Sequence, residues 1–151
     1  MNDRIEKTIE IKAPVSRVWK ALTDYREFGT WFRVRLEGPF ITGETCGGQI
    51  THPGYEHVRM EVLVQKLEPE TLFSFTWHPY AVERGVDYSH EPPTLVEFTL
   101  SPTREGGTLL RVVESGFDKI PAHRRDEAFR MNEGGWQAQM GNIERHVRQA
   151  A

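Results

Sequence analysis

The chain has 151 residues, a formal net charge of −3 and a hydrophobic share of 38%. This length suits one globular domain, so we predict a single domain over residues 1–151. The small charge and the lack of a basic cluster argue against nucleic acid as a partner, because phosphates demand a lysine- and arginine-rich surface. No run approaches the ~20 apolar residues of a membrane helix, and the N-terminus carries no apolar leader. We therefore expect a cytoplasmic protein without a membrane span.

Cysteine and histidine usage argues against metal and cofactor chemistry. Cys46 is the single cysteine, which excludes an intrachain disulfide and a cysteine-held cluster. The six histidines show no His-x-x-x-His spacing. The glycine-rich segment 43–48 lacks the Lys-Ser/Thr pair of a phosphate-binding loop. The sequence predicts neither a metal nor a cofactor.

The first predicted elements are a strand and a short helix. Apolar and polar residues alternate over Arg4–Lys12, which is typical of a half-exposed strand. Pro14 suits a first helical turn, and apolar residues recur at helical spacing over Pro14–Leu22. Asp24–Phe28 is interpreted as one irregular turn that Gly29 ends.

Strands dominate the middle of the chain. The predicted strands are Val34–Leu36, Gln49–His52, His57–Leu67, Leu72–His78, Thr94–Leu100 and Thr108–Glu114. Gly47-Gly48 precedes the second of them, and Glu105-Gly106-Gly107 forms a hairpin turn before the last. Pro79–Pro93 shows no periodicity and is predicted as a long loop.

After Pro121 the apolar period becomes that of a long helix running to the C-terminus. Its apolar stripe comprises Phe129, Trp136, Met140, Ile143 and Val147. Gly134 and Gly135 fall inside it, where each costs about 1 kcal/mol relative to alanine. Either they make room for a ligand or a close sheet contact, or the helix begins only near Trp136. The element order predicts an α+β architecture in which this helix covers an antiparallel sheet.

Several motifs resemble known proteins. Ile9-Glu10-Ile11-Lys12-Ala13-Pro14, followed by Val18-Trp19-Lys20-Ala21-Leu22-Thr23, resembles the SRPBCC superfamily of START domains and the birch-pollen allergen. Three further motifs resemble one branch of this superfamily, the branch homologous to the activator of a heat-shock-protein ATPase. They are Leu72-Phe73-Ser74-Phe75-Thr76-Trp77, Glu114-Ser115-Gly116-Phe117 and Gly135-Trp136. The resemblance implies a helix-grip fold: a curved antiparallel β-sheet wrapped around a long C-terminal α-helix, with a short helix after the first strand. The superfamily includes carriers, sensors, cyclases and co-chaperones, so the fold alone does not choose a function.

A cavity between sheet and C-terminal helix is the candidate site. The predicted walls are Trp31, Phe32, Phe75, Trp77, Phe117, Trp136 and Met140. His52 and Glu114 are predicted to orient the ligand, since Glu114 shares a strand face with Leu110 and Val112, and His52 lies two residues after Ile50. The alternatives are that the aromatics form an ordinary core, that Glu114 reaches water at the end of the sheet, and that His52 is structural.

These features lead to three functional hypotheses. The first is non-enzymatic binding of a small hydrophobic or amphipathic ligand in the internal cavity. The second is a chaperone-associated or stress-response interaction domain. The third is a hydrolase, cyclase or dehydratase that uses Glu114 or His52 as acid or base. Because an apolar cavity disfavours a charged carboxylate, we expect Glu114→Gln to leave stability near neutral pH unchanged or improved.

Overall fold

The computed structural model describes residues 3–149. Its strands are β1 Arg4–Ile11, β2 Val34–Leu36, β3 Thr45–Ile50, β4 Arg59–Glu68, β5 Leu72–Trp77, β6 Thr94–Pro102 and β7 Thr108–Ser115. Its helices are α1 Val15–Thr23, α2 Tyr25–Phe32 and α3 Ala122–Gln149, with a 3-10 turn at Phe117–Lys119. The strands form one sheet in the order β1-β7-β6-β5-β4-β3-β2, and all neighbouring pairs are antiparallel. The predicted helix-grip fold is confirmed.

Helix α3 lies along the sheet and closes the core. Its buried residues are Ala128, Trp136, Met140, Ile143 and Val147, which places the predicted stripe against the sheet. The helix runs unbroken through Gly134 and Gly135, so the alternative of a helix that begins only near Trp136 is wrong. A Cβ added at either glycine meets no atom within 4 Å, which also excludes a close sheet contact there. None of the helices in residues 3–149 combines the length and apolarity needed to cross a bilayer.

Two glycines, Gly29 and Gly48, allow close backbone approach inside regular elements. Helix α2 continues through Gly29 to Phe32, and the Asp24 side chain caps it by accepting from the N–H groups of Arg26 and Glu27. A Cβ on Gly29 would overlap the carbonyl oxygen of Val34. Glycine at position 29 therefore lets β2 leave the helix end at close range, and the predicted stop at this residue is wrong.

Strand β3 begins earlier than expected, at Thr45, and includes both Gly47 and Gly48. A Cβ on Gly48 would overlap the backbone of Arg35 in the neighbouring strand β2. The glycine pair is thus part of the strand and does not merely precede it. The strand ends at Ile50, two residues before the predicted end.

The loop between β5 and β6 is fastened to the start of α3 by Arg124. Its Nη2 and Nε lie 2.7 and 2.9 Å from Oε1 of Glu91, and its Nη1 donates to the Pro79 carbonyl at 3.0 Å. The guanidinium also lies 4.7 Å from the ring centroid of Tyr88. The Arg124 and Glu91 side chains are only 12% and 8% exposed, so this ion pair is largely shielded from water. The loop therefore has a defined path without regular structure.

Glu27 joins the three helices through one carboxylate. Its Oε1 accepts from Nη1 of Arg17 on α1 at 2.8 Å, and Nε2 of His146 on α3 lies 2.8 Å from the same oxygen. Burial raises the pKa of Glu27, but the hydrogen bonds from His146 and Arg17 outweigh burial and hold it below the ordinary value of 4.5. The folded state thus favours the charged carboxylate.

Glu27→Gln is expected to cost about 1–3 kcal/mol of unfolding free energy at pH 7, since charged hydrogen bonds are lost. A depressed folded pKa stabilises the protein above the unfolded pKa, and this contribution disappears as pH falls through the folded value. The unfolding free energies of wild type and variant, measured in urea, should therefore converge as pH falls below about 4.5. Glu83→Gln, on the exposed loop, is the control and should track wild type. A constant difference at all pH values would contradict the prediction.

Candidate functional site

Strand β7 carries a fully buried carboxylate, that of Glu114, near its C-terminal end. Leu110, Val112 and Glu114 follow the period of two and share the inward face, and each has 0% exposure. Glu114 lies opposite Ile5 on β1 and Val96 on β6. The predicted inward orientation of Glu114 is thus observed, and the alternative that it reaches water is wrong.

Four neutral donors surround the Glu114 carboxylate. Its Oε1 accepts from Nδ2 of Asn132 at 2.9 Å and from Nε1 of Trp136 at 2.8 Å. Its Oε2 accepts from Nε1 of Trp77 at 2.8 Å and from the Thr94 hydroxyl at 2.5 Å. An indole N–H and an amide NH2 only donate, and a carboxylate offers about four acceptor positions. The arrangement therefore matches the ionised carboxylate.

The charge on Glu114 is held without a cation. Among residues 3–149, the ion pairs involve other carboxylates, and none includes Glu114. A buried charge is tolerated when its hydrogen bonds are complete. The surroundings expected from the sequence were apolar. The structure corrects this, because side chains from β5, β6 and α3 each bring a hydrogen-bond donor to the carboxylate.

A small pocket opens directly above this cluster. It has a volume of about 110 Å3 and is lined by Phe32, Trp77, Asn132, Gly135, Trp136 and Gln139. Three of these residues, Trp77, Asn132 and Trp136, are the side chains that donate to Glu114. The volume is somewhat below the ~150 Å3 of an apolar protein cavity that binds benzene, which suits one small ring or a ligand head group.

Half of the six lining residues are aromatic. The ring centroids of Trp77 and Trp136 lie 5.8 Å apart, and Phe32 lies 6.0 Å from Trp77 and 6.5 Å from Trp136. Phe28 stacks on Phe32 at 5.0 Å, which supports the ring from the core side. The pocket thus combines three packed aromatic rings with the amides of Asn132 and Gln139.

The predicted wall residues divide between pocket and core. Phe32, Trp77 and Trp136 line the pocket. Four others are buried and absent from its lining: Trp31, Phe75, Phe117 and Met140. The Trp31 indole donates to the Ala21 carbonyl at 2.8 Å, and Phe117 packs edge-to-face on Phe129. The sheet–helix interior beneath the pocket is therefore occupied by these side chains.

His52 lies outside the pocket, on the exposed turn after β3. Its Nδ1 is 3.3 Å from Nη1 of Arg33, and its ring lies 5.8 Å from that of Tyr55. The predicted inward orientation is corrected for a simple reason. The strand ends at Ile50, so counting by twos no longer applies two residues later.

Cys46 is buried, and its thiol donates to the carbonyl of Gly38 at 3.3 Å. Burial raises the pKa of this thiol, and the nearby Glu37 charge adds to the effect. A thiolate nucleophile is therefore disfavoured. Within the part of the chain that the structure describes, no three His, Cys, Asp or Glu side chains converge as metal ligands do.

Sequence reasoning missed Thr94, Asn132 and Gln139. Asn132 and Gln139 flank Trp136 at helical spacings of four and three, so they share the inward side of α3 with the apolar stripe. Polar interruptions of that stripe were the available signal. Gly135, one of the two glycines that the sequence offers as room for a ligand, lines the pocket.

The comparisons with known proteins agree with this architecture. The family profile described as Activator of Hsp90 ATPase homolog 1-like protein matches residues 12–148. The chain belongs to this family. Membership confirms the resemblance seen in the sequence. None of the curated proteins matches the chain significantly.

Solved structures share the fold of this family member. DynU16, from the dynemicin biosynthetic locus, is 25% identical with a TM-score of 0.76, and the match covers 99% of this chain and 49% of DynU16. The chain thus spans about half the length of DynU16. A protein from Mesorhizobium loti is 21% identical, with a TM-score of 0.77 and 98% of each chain covered. The Aha1 dimer from Colwellia psychrerythraea is 19% identical, with a TM-score of 0.71 and 95% of each chain covered.

Proposed function

We propose that this protein binds a small, largely apolar ligand in the pocket above Glu114. The observation that carries the proposal is that one buried carboxylate holds three of the six lining residues, Trp77, Asn132 and Trp136. Side chains fixed in this way lose little conformational freedom on binding, which favours affinity and a defined ligand shape. The family fold is compatible with ligand binding.

The pocket suits a small ring or the end of a longer molecule rather than a fully enclosed large ligand. Drug-sized ligands occupy about 300–1,000 Å3, whereas this pocket measures about 110 Å3. The interior that could have held a large ligand is filled by core side chains such as Phe75, Phe98 and Met140. The proposed binding mode is therefore at the rim, between α2, β5 and α3.

The other two hypotheses gain less support from the geometry. Both Glu114 oxygens are occupied and His52 is exposed elsewhere, so neither meets a ligand in the pocket directly. A chaperone partner rests on the family description. The large exposed hydrophobic residues stand on five separate segments: Ile41, Leu63, Val86, Leu109 and Met131. Ligand binding is thus the first function to test.

Benzyl alcohol is a suitable probe, and Gly135→Leu is the variant that tests the pocket. Leucine at position 135 should occupy the pocket and weaken binding at least 10-fold, whereas Gly134→Leu places the same side chain one residue away. Both changes replace a helical glycine and should stabilise α3 by up to about 1 kcal/mol, so unfolding would not explain a loss of binding. Binding is measured by titrating each protein with benzyl alcohol and following the NMR signals of the Trp77 and Trp136 indole N–H groups. Equal binding of benzyl alcohol to both variants would contradict the proposal, and so would a wild type that binds neither benzyl alcohol nor its amine analogue, benzylamine.

A further inference from the structure

We propose that the pocket prefers a positively charged ligand, specifically the ammonium head of a small organic amine. This inference rests on the proposed function and names the ligand class. It follows from the charge beneath the pocket, the aromatic rings around it and the hydrogen-bonding atom left for a ligand.

The first argument is the uncompensated charge of Glu114. All four of its partners are neutral, and they distribute the negative charge without cancelling it. Arg33 follows the pocket residue Phe32, but its exposed side chain lies against His52. A charge buried in a medium of low polarity acts over a longer distance than one in water. A cation bound above the cluster would therefore be attracted by Glu114.

The second argument is the aromatic wall. Cations bind favourably at the faces of tryptophan and phenylalanine, and tryptophan is the strongest of the aromatic side chains in this respect. Trp77 and Trp136 both donate their N–H groups to a carboxylate, which shifts electron density toward the rings. Phe32 completes the wall beside them. Rings and carboxylate thus favour the same sign of charge.

The third argument is the orientation of the Asn132 amide. Its Nδ2 must face the carboxylate, because an ionised carboxylate only accepts hydrogen bonds. The carbonyl oxygen Oδ1 is therefore not engaged by the carboxylate and can accept a hydrogen bond from a pocket ligand. At Gln139, Oε1 already accepts from Nδ2 of Asn142, and Nε2 donates to the Phe32 carbonyl. The available acceptor on Asn132 suits an ammonium N–H.

Benzylamine and benzyl alcohol test the inference as a pair, since they have nearly the same shape and both donate hydrogen bonds. At pH 7 only the amine is charged. Wild-type protein, titrated in low salt with the indole N–H signals as readout, should bind benzylamine roughly 3- to 30-fold more tightly. Added sodium chloride should not remove the preference, because a shielded carboxylate is screened less than surface charges. Gly135→Leu should abolish the preference for benzylamine. That variant keeps the net charge of the chain, so the loss would exclude a general attraction of the amine to a negatively charged protein.

Glu114→Gln should equalise the two affinities, and Thr94→Val, which removes one neutral donor but keeps the charge, should preserve the preference. If Glu114→Gln does not fold, the wild-type pair alone decides. Benzyl alcohol binding as tightly as benzylamine would overturn this inference and leave the proposed function standing. Failure of both compounds to bind would overturn both.

Discussion

Replacing Glu114 with glutamine is expected to lower the free energy of unfolding by roughly 2–4 kcal/mol at neutral pH. The carboxylate accepts from donors at both oxygens, whereas an amide accepts at one end and donates at the other. Whichever way the amide turns, its NH2 group meets the N–H of Trp77 or of Trp136. The Thr94 hydroxyl can rotate and accept, but an indole cannot. One indole donor, either buried Trp136 or half-buried Trp77, is therefore always left without a partner in the cluster.

Urea unfolding at pH 7 measures the effect, and Thr94→Val is the matched control in the same cluster. That control removes one hydrogen bond to the carboxylate, a contribution of about 1.5–3 kcal/mol, but turns no donor toward another donor, so it should cost less than the glutamine variant. The sequence predicted the opposite result for Glu114→Gln, because an apolar cavity would disfavour the charge. A loss below about 0.5 kcal/mol would show that the four hydrogen bonds stabilise the charged form no better than the amide.

Local periodicity was enough to predict the layers of the fold. The stripe through Trp136, Met140 and Ile143 identified the buried face of α3, because a spacing of three and four residues leaves few other arrangements. The alternation in β7 placed Glu114 inward for the same kind of reason. Periodicity indicates which side of an element is buried. Trp136 and Glu114, both placed on a buried side in this way, are part of the site.

The surroundings of Glu114 could not be predicted in the same way. Its partners come from β5, β6 and α3, up to 37 residues away along the chain, and their convergence depends on strand order and helix placement. Thr94 lies opposite Trp77 only because β5 and β6 pair in one particular register. A pattern confined to one element carries no information on such a register. The sequence therefore supplied the carboxylate but not the donors that change its chemistry.

Backbone proximity was also hidden from the sequence. The sequence predicts that Gly29 ends a turn and that Gly48 precedes a strand, since glycine often stands at the ends of regular elements. Both instead lie within regular elements, where a neighbouring strand comes too close for a side chain. The same residue type serves either purpose, and only the packing of β2 against α2 and β3 decides between them.

Truncation of Trp136 to alanine is expected to have the largest effect on stability, about 3–5 kcal/mol. The side chain is 2% exposed and packs on Trp77, with Phe98 edge-to-face at 5.5 Å. Its loss leaves a cavity that these rings fill only in part, and Oε1 of Glu114 keeps a single donor, Asn132. Urea unfolding followed by far-UV circular dichroism measures the change without relying on tryptophan emission.

Trp136→Phe separates the two contributions of this residue. Phenylalanine keeps an aromatic ring against the sheet but removes the N–H that donates to Glu114. A hydrogen bond to a charged group contributes about 1.5–3 kcal/mol, so the phenylalanine variant should lose less than the alanine variant but more than a surface substitution. If alanine costs less than about 1 kcal/mol, Trp136 borders a loose, solvated space rather than a packed core. If the two variants cost the same, the hydrogen bond outweighs the ring, and the carboxylate is the principal link between α3 and the sheet at this end of the molecule.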